Sequence, residues 1–434
     1  MAKILNFFRV IRNNWKKSAV GTAALSYGVS YSKELYETEQ FMREYCEKVK
    51  TLGDAPLPTN VKPRHITIIL NPAAKKRKAK KLFERYCEPL LHLAGIAVNI
   101  IQTESGSHAR SIVMNLDTPT DAIIVAGGDG TLSDVLTGLM RKYKTNISSV
   151  RQCPIGILPL GEVNTVANIL YRKHTELADI KEMVDATMAV INNRTKMMDA
   201  IEVEVIEENP EEEIKPIYAM GSIKWGAWQD AQAIAKKYWY WGPLKQYVTY
   251  VFNGYKSTLN WNCSAIVKYT DPCEGCSTCY KKESAEQTDL NRRWWYAFIP
   301  KRNTLPKENF VDYSKIVNEN CGIIHEVPIS TTELHIDSSN IDKSIDSMTP
   351  KSLKLFTAPK DIGYVSFVSE GWRQKTETRA LDKKIIDAKH IELIPEEVSP
   401  DKVIYIDNEG YELKAIKIRL LSNSVRMFCP EVGS

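Results

Sequence analysis

The sequence predicts an α/β domain built on a doubly wound parallel sheet, followed by an antiparallel, β-rich, sandwich-like domain. Three observations carry this reading. Between residues 64 and 195 short apolar runs alternate with helix-period segments, the pattern of chained βαβ units. From about Lys196 long helix-period segments become fewer and strand patterns take over. The length, 434 residues, suits two to three domains and excludes a single small module.

Taken in order, His65 to Leu70, Ile96 to Gln102, Asp121 to Ala126 and Ile155 to Leu158 read as buried parallel strands. Helices are predicted over Lys76 to Leu93, Ser107 to Leu116, Leu132 to Lys142, Thr165 to Leu170 and Asp179 to Ile191. Ligands of such a sheet sit beyond the carboxyl ends of its strands. The second domain, 196–428, is read from strands at Met198 to Ile206, Tyr218 to Gly221, Ser264 to Tyr269, Ile391 to Ile394 and Leu413 to Leu421. Polar stretches near 270–290 and 337–350 read as surface insertions.

The amino terminus is set apart by charge. Net charge is +5, yet Lys3, Arg9, Arg12, Lys16, Lys17 and Lys33 supply +6 before the first acid, Glu34, so the remainder carries −1. A body so near neutrality offers no electrostatic reason to bind nucleic acid. Residues 1–33 read as a mitochondrial targeting and membrane-anchoring segment: Ile4, Leu5, Phe7, Phe8, Val10, Ile11 and Trp15 share one face of a basic helix. Ser18 to Ser32 is uncharged but, at 15 residues, short of the roughly 20 that span a bilayer. It is predicted to lie in the interface, with Trp15, Tyr27 and Tyr31 at headgroup level. Residues 34–63 read as a helix and a linker punctuated by Pro56, Pro58 and Pro63.

Nine cysteines, an odd number and mostly scattered, argue against a secreted disulfide framework. Cys273, Cys276 and Cys279 cluster, with Cys263 a candidate fourth thiolate. A tetrahedral site wants two paired arms, however, and the expectation is a surface loop without metal.

Four loops follow the four strands of the first domain. Gly127-Gly128-Asp129-Gly130-Thr131 sits between a strand and a helix, where glycines are expected to adopt positive φ and bring the backbone close to an anion at the helix start. A carboxylate beside phosphates needs a divalent cation or a proton to accept, so Asp129 reads as a general base or a metal-linked residue. The alternative is a tight turn in which Asp129 is an N-cap. The companion loops offer Asn71-Pro72 with Lys75 to Lys78, Thr103 with Gly106 and Ala109, and Pro159 to Thr165 with Gly161 and Asn164.

The order Asn-Pro, Thr-x-x-Gly-x-x-Ala, Gly-Gly-Asp-Gly-Thr, Pro-Leu-Gly resembles the catalytic domain of the diacylglycerol and sphingosine kinases. The likeness continues through Gly221 to Asp230, Tyr238 to Lys245 and Ile406-Asp407-Asn408-Glu409-Gly410. Details such as Asn71-Pro72-Ala73-Ala74, His92-Leu93-Ala94-Gly95 and Trp239 to Lys245 are most similar to the mitochondrial acylglycerol kinase branch. The resemblance implies transfer of the γ-phosphate of Mg-ATP to the hydroxyl of monoacylglycerol and diacylglycerol, with sphingosine or ceramide as the other acceptors of the wider family.

It also implies roles. Gly127, Gly128, Gly130 and Thr131 would hold phosphates, and Asn71, Thr103, Gly161 and Asn164 the rest of the nucleotide. Asp129 would take the acceptor proton, with Glu409 the competing base. Asp407 is a candidate Mg²⁺ ligand or merely a β-turn residue. Asp230 would meet the acceptor's polar head, and Trp225 and Trp228, among the aromatics that run on to Trp241, would face lipid unless they form the core of the β-domain. The implied setting is the mitochondrial inner membrane, facing the intermembrane space. Because one branch member is associated with the carrier translocase there, a non-catalytic subunit role is the alternative. Ala74-Lys75 replaces the Ser-Gly or Gly-Gly of soluble relatives, Glu162 replaces a Thr, and Asp134 a Glu. NAD kinases share the Gly-Gly-Asp-Gly loop but lack the aromatic segment.

Overall fold

The computed structural model describes residues 13–54, 63–117, 120–143, 146–171, 177–206, 214–256, 259, 261–273, 276–277, 316–341, 351–375, 384–398 and 402–430. The chain divides into two compact units, Met1–Met198 with Asn423–Ser434, and Asp199–Ser422. The sequence boundary at 195/196 lies three residues away, but the stretch from Asn423 belongs to the first unit, where the sequence reading kept it in the second domain. A terminal strand that returns to an earlier sheet leaves no mark in local composition.

The first unit is a parallel sheet in the order β2-β1-β3-β4 (β2, Ala97–Gln102; β1, His65–Leu70; β3, Ala122–Gly127; β4, Ile155–Pro159). Met427, near the end of β16 (Ile416–Phe428), pairs with Ile155 of β4. Ile66, Ile68, Ile69, Ile124 and Ile157 are fully buried, because a strand covered on both faces has no side for polar residues. Edge strand β2 is only half-buried. Helices α3 (His108–Met114), α4 (Asp129–Lys142), α5 (Ile147–Gln152), α6 (Thr165–Leu170) and α7 (Ala178–Ile191) complete the alternation.

One expected helix is altered. The segment predicted as Lys76 to Leu93 begins only at Ala79, as α2 (79–93), and carries a π-helical turn at Phe83–Cys87. Before it, Lys75, Lys76 and Arg77 take φ of 47°, 56° and 65°, a left-handed turn that L-residues rarely adopt. Lys75 is held there by Asp179 at 2.7 Å.

The amino-terminal helix α1 (Trp15–Gly53) is continuous over 39 residues, ~58 Å at the usual rise per residue. Its second half packs through Phe41, Met42, Tyr45 and Val49 against Leu90 and Val184. Its first half is exposed, with Tyr27 at 74% and Leu25 at 72%. Among the described residues no helix is long and apolar enough to cross a membrane. Residues 1–12 of the expected targeting segment, Pro56, Pro58, Cys279, most of the 270–290 stretch and residues 342–350 lie outside the described residues.

The second unit is antiparallel. One sheet runs β12-β11-β10-β7-β14-β15 (Lys384–Ala388, Leu353–Thr357, Glu333–Asp337, Ser222–Gly226, Val403–Ile406, Glu409–Glu412). The other pairs β13 (His390–Pro395) with β16 and with β8 (Cys263–Thr270), and β8 with β9 (Ile324–Thr331). Strand β5 (Thr195–Val205) pairs with β6 (Ile217–Ala219). Ile201, Trp225, Val267, Leu334, Leu355, Leu393 and Ile404 form one core from both sheets, a sandwich. Helices α8 (Ala227–Ile234), α9 (Lys245–Asn253) and α10 (Tyr364–Lys375), with the 3₁₀ segment Ala235–Leu244, form a satellite core around Trp228, Tyr250 and Phe367.

Candidate active site

In the first unit the loops at the carboxyl ends of β1, β3 and β4 are tied to one another. Asn71, just after β1, donates its side-chain amide to Thr131 Oγ1 at 3.2 Å, and its Oδ1 accepts the N–H of Ala73. Thr103, beyond β2, is buried, and its N–H reaches Leu70 O at 2.9 Å. Asn164 Oδ1 accepts the Gly161 N–H at 3.0 Å and closes the loop after β4.

The glycines act by absence of a side chain rather than by unusual dihedrals. Gly127, Gly128, Gly130 and Gly161 are not among the residues with positive φ, contrary to expectation, and Gly128 is extended at φ −113°, ψ −170°. A Cβ on Gly161 would lie 2.3 Å from Gly128 Cα, and one on Gly128 would lie 2.8 Å from Val163 O. Two backbones touch here, and the first amide of α4, that of Asp129, donates to Val163 O at 3.3 Å.

Asp129 is 2% exposed. Its Oδ2 accepts the N–H of Thr165 at 2.8 Å and its Oδ1 that of Val166 at 3.2 Å. The carboxylate therefore caps α6, across the loops, and not α4, the helix it begins. Asp134, one turn further along α4, is paired with Arg110 at 2.6 Å and accepts the Ser107 N–H, so it fastens the β2 loop.

The second unit holds the remaining predicted residues. Asp407 is 2% exposed and accepts three backbone N–H groups, from Met220, Gly221 and Ser222, each at 2.9 Å. Both oxygens thus fasten the turn before β7. Glu409 starts β15, half-buried, with the Tyr411 hydroxyl at 3.3 Å. Trp225 lies in the sandwich core, and Trp228 stacks on Phe367 at 5.4 Å and donates Nε1–H to Phe367 O. Both are 1% exposed, Trp225 in the core of the sandwich and Trp228 in the helical satellite core. The aromatics that reach solvent are Trp239 at 77%, Tyr240 at 62% and Trp241 at 41%.

Around Asp230, which is 9% exposed on α8, further polar groups are buried. Burial, and next the charge of Asp230, push the Tyr405 phenol up to about 12. Burial also raises the Cys263 thiol, with Asp230 and Glu333 adding to it, and raises Tyr250, with Glu333 adding. Glu370 is 1% exposed with neither carboxylate oxygen hydrogen-bonded, and the Tyr250 hydroxyl and Trp225 Nε1 are likewise without partners.

Residues 65–203 match the diacylglycerol kinase catalytic domain and residues 220–432 the acylglycerol kinase C-terminal domain. Human mitochondrial acylglycerol kinase is 30% identical over 428 residues, which cover 98% of this chain and 96% of that protein. The chain belongs to the acylglycerol kinase family. The mouse protein is 29% identical over 429 residues, again covering 98% and 96%. Rat sphingosine kinase 1 is 28% identical over 189 residues, 43% of this chain and 47% of that one. A crystal structure of a diacylglycerol kinase from Bacillus anthracis shares the fold, with a TM-score of 0.50 at 16% identity, covering 86% of this chain and all of the other.

As a member of the acylglycerol kinase family the chain is a lipid kinase, and its phosphoryl donor is ATP. Glu333, Glu370, Tyr250 and Tyr405 were not singled out in the sequence. Glu370 carries the one signal that could have pointed to it, a carboxylate among the apolar residues of Phe367-Val368-Ser369-Glu370-Gly371-Trp372.

Proposed function

We propose that the protein transfers the γ-phosphate of Mg-ATP to the free hydroxyl of monoacylglycerol and diacylglycerol, giving lysophosphatidic and phosphatidic acid. The observation that carries the donor side is the contact of Gly128 with Gly161, which packs the loop after β4 against the start of α4, a helix N-terminus suited to a phosphate chain. Asn71, Thr103, Gly127, Gly130, Thr131 and Asn164 complete that nucleotide site. The acceptor oxygen attacks the γ-phosphorus, the bond to the β-phosphate oxygen breaks, and ADP leaves. Catalysis rests on positioning and charge neutralisation more than on covalent work.

Asp129 suits the acceptor's proton or a magnesium ion: two backbone N–H bonds aim the carboxylate without adding a counter-charge. Magnesium, when bound, neutralises charge that builds on the transferring phosphoryl group. Glu409 is the competing base. Asp230 is proposed to meet the glycerol hydroxyls, with Tyr405, Glu333 and the Tyr250 hydroxyl as further polar groups in its surroundings. A hydroxyl-rich headgroup can satisfy buried carboxylates that water does not reach.

The proposed setting is the mitochondrial inner membrane, on the intermembrane-space side. Trp239, Tyr240 and Trp241, with Lys236, Lys237 and Lys245 beside them, form an exposed aromatic and basic patch suited to an anionic lipid interface. The exposed first half of α1 suits the same surface, and it equally suits a subunit contact within the carrier translocase. Labelled ATP offered with monoacylglycerol, diacylglycerol, sphingosine and ceramide in mixed micelles tests the acceptor. Label in the two glycerolipids supports the proposal, and label only in the sphingoid lipids contradicts it.

A further inference from the structure

We propose that Cys273, Cys276 and Cys321 form a zinc site that clamps the base of the long insertion between β8 and β9. The three thiols lie within 4.8 Å of one another, with Cys276 buried and the other two half-buried. A tetrahedral zinc–thiolate site has bonds of about 2.3 Å and hence sulfurs roughly 3.8 Å apart, so modest side-chain rotation brings the trio into place. Sequence spacing offered Cys263 as a partner. The structure places Cys263 opposite Thr331 at the far end of β8, and brings in Cys321 instead, more than forty residues along the chain from Cys276.

The surrounding backbone is built to present these sulfurs. The β8–β9 ladder ends at the Thr270–Ile324 pair, so the three cysteines come from the two chains just beyond it. Ser277 N–H donates to Ile316 O at 2.8 Å, joining the two arms next to Cys276. Cys321 sits in a tight turn in which its N–H reaches Asn318 O at 3.2 Å, followed by Gly322 at φ 87°. Asn318 also donates its side-chain amide to Cys273 Sγ at 3.4 Å, a bond that favours a thiolate and orients it as a ligand.

A disulfide accounts for this arrangement less well. It would use two of three convergent sulfurs, strand the third and require an oxidant. Zinc takes all three as thiolates, displacing their protons, and completes its tetrahedron with a fourth donor. Soft thiolates without carboxylates select zinc over magnesium or calcium. The clamp joins Cys276 to Cys321 across 45 positions of sequence, and closing a longer loop removes more conformational entropy from the unfolded chain.

The test is the metal content of the full chain purified without chelators, for the parent, Cys276→Ser, Cys321→Ser and a control, Cys46→Ser, on α1. The parent and the control are expected to carry about one zinc per chain, and each cluster variant at least about fivefold less. Should a cluster variant fail to fold, cobalt titration of the metal-stripped parent serves instead, read as thiolate charge-transfer absorption with tetrahedral d–d bands. Zinc should also shield Cys273, Cys276 and Cys321 of the parent from alkylation. A zinc-free parent that gives no such bands, copper in place of zinc, or a disulfide at Cys276 found by mass spectrometry overturns the proposal.

Discussion

The carboxylate of Asp129 accepts the N–H of Thr165 at 2.8 Å, across 36 residues of sequence. One side chain thus joins the start of α4 to the start of α6, and the two loops that would meet ATP move as one body. Asp129→Asn keeps one acceptor oxygen and the shape, but loses the charge. It is expected to lower kcat by about 10²- to 10⁴-fold, the range for a positioned acid or base, and to cost about 1–3 kcal/mol of stability, because the new N–H₂ group faces one of the two backbone N–H donors. Asp129→Ala should add a capping loss of about 1 kcal/mol. A folded Asp129→Asn with the parental kcat would assign the residue to structure alone.

Gly161→Ala addresses the loop contact. The added methyl would meet Gly128 Cα at 2.3 Å and Gly128 N at 2.8 Å, both backbone atoms, so the loops must part. The expected result is a rise in the KM for ATP of at least about tenfold, with about 1–3 kcal/mol of lost stability from overpacking. An unchanged KM for ATP would remove this contact from the nucleotide site.

Asp407 tests the fastening role. Its removal leaves three buried N–H groups without an acceptor, at a cost of about 2–4 kcal/mol. Asp407→Ala should therefore unfold at lower denaturant whether or not magnesium is present. A variant of normal stability whose activity returns at high magnesium would restore the metal-ligand reading.

Exposed aromatics give a different signature. Because Trp239 and Trp241 are largely in solvent, replacing both by alanine should leave the fold intact and reduce sedimentation with cardiolipin-containing vesicles by about tenfold. Trp228→Ala, by contrast, empties a buried site and should cost about 3–5 kcal/mol. Vesicle binding that survives the double variant would move the membrane contact elsewhere.

Alkaline stability should carry the mark of Cys87. Burial pushes its thiol from an ordinary 9.0 up to about 12, with a Thr187 hydrogen bond opposing in part. Above pH 9 the unfolded chain releases a proton that the folded chain keeps, so this contribution is whole below pH 9 and falls as pH rises toward 12. Cys87→Ala should lose less stability than the parent between about pH 8 and about pH 10.5 in urea unfolding. Parallel losses would mean that the thiol is not kept protonated by burial.

Much of the first unit is legible in its residues. Ile66, Ile68, Ile124 and Ile157 stand in apolar runs bounded by turn residues, and buried parallel strands leave that trace. Gly128 and Asp129 are visible as a loop, but their partners Gly161 and Thr165 are chosen by tertiary packing, so neither the backbone contact nor the α6 cap has a local sign. In the second unit β9 alternates exposed and half-buried residues around Pro328, as an edge strand does, and resembles a polar loop. Helices α8 and α10 were hidden because their apolar residues, Trp228 and Phe367, belong to a small core of their own. Asp407 and Trp225 carry the residue types of a site, and the structure gives each a fastening or packing role that no sequence pattern marks. Cys321 lies too far along the chain for any spacing rule to join it to Cys276.

The most direct test of the central claim is transfer of label from γ-labelled ATP to monoacylglycerol by the intact protein and by Asp129→Asn, at matched folding and vesicle binding. The predicted result is labelled lysophosphatidic acid from the parent and at least about a hundredfold less from the variant. Equal transfer by both would contradict the assignment of Asp129, and no transfer by a folded, membrane-bound parent would contradict the kinase itself.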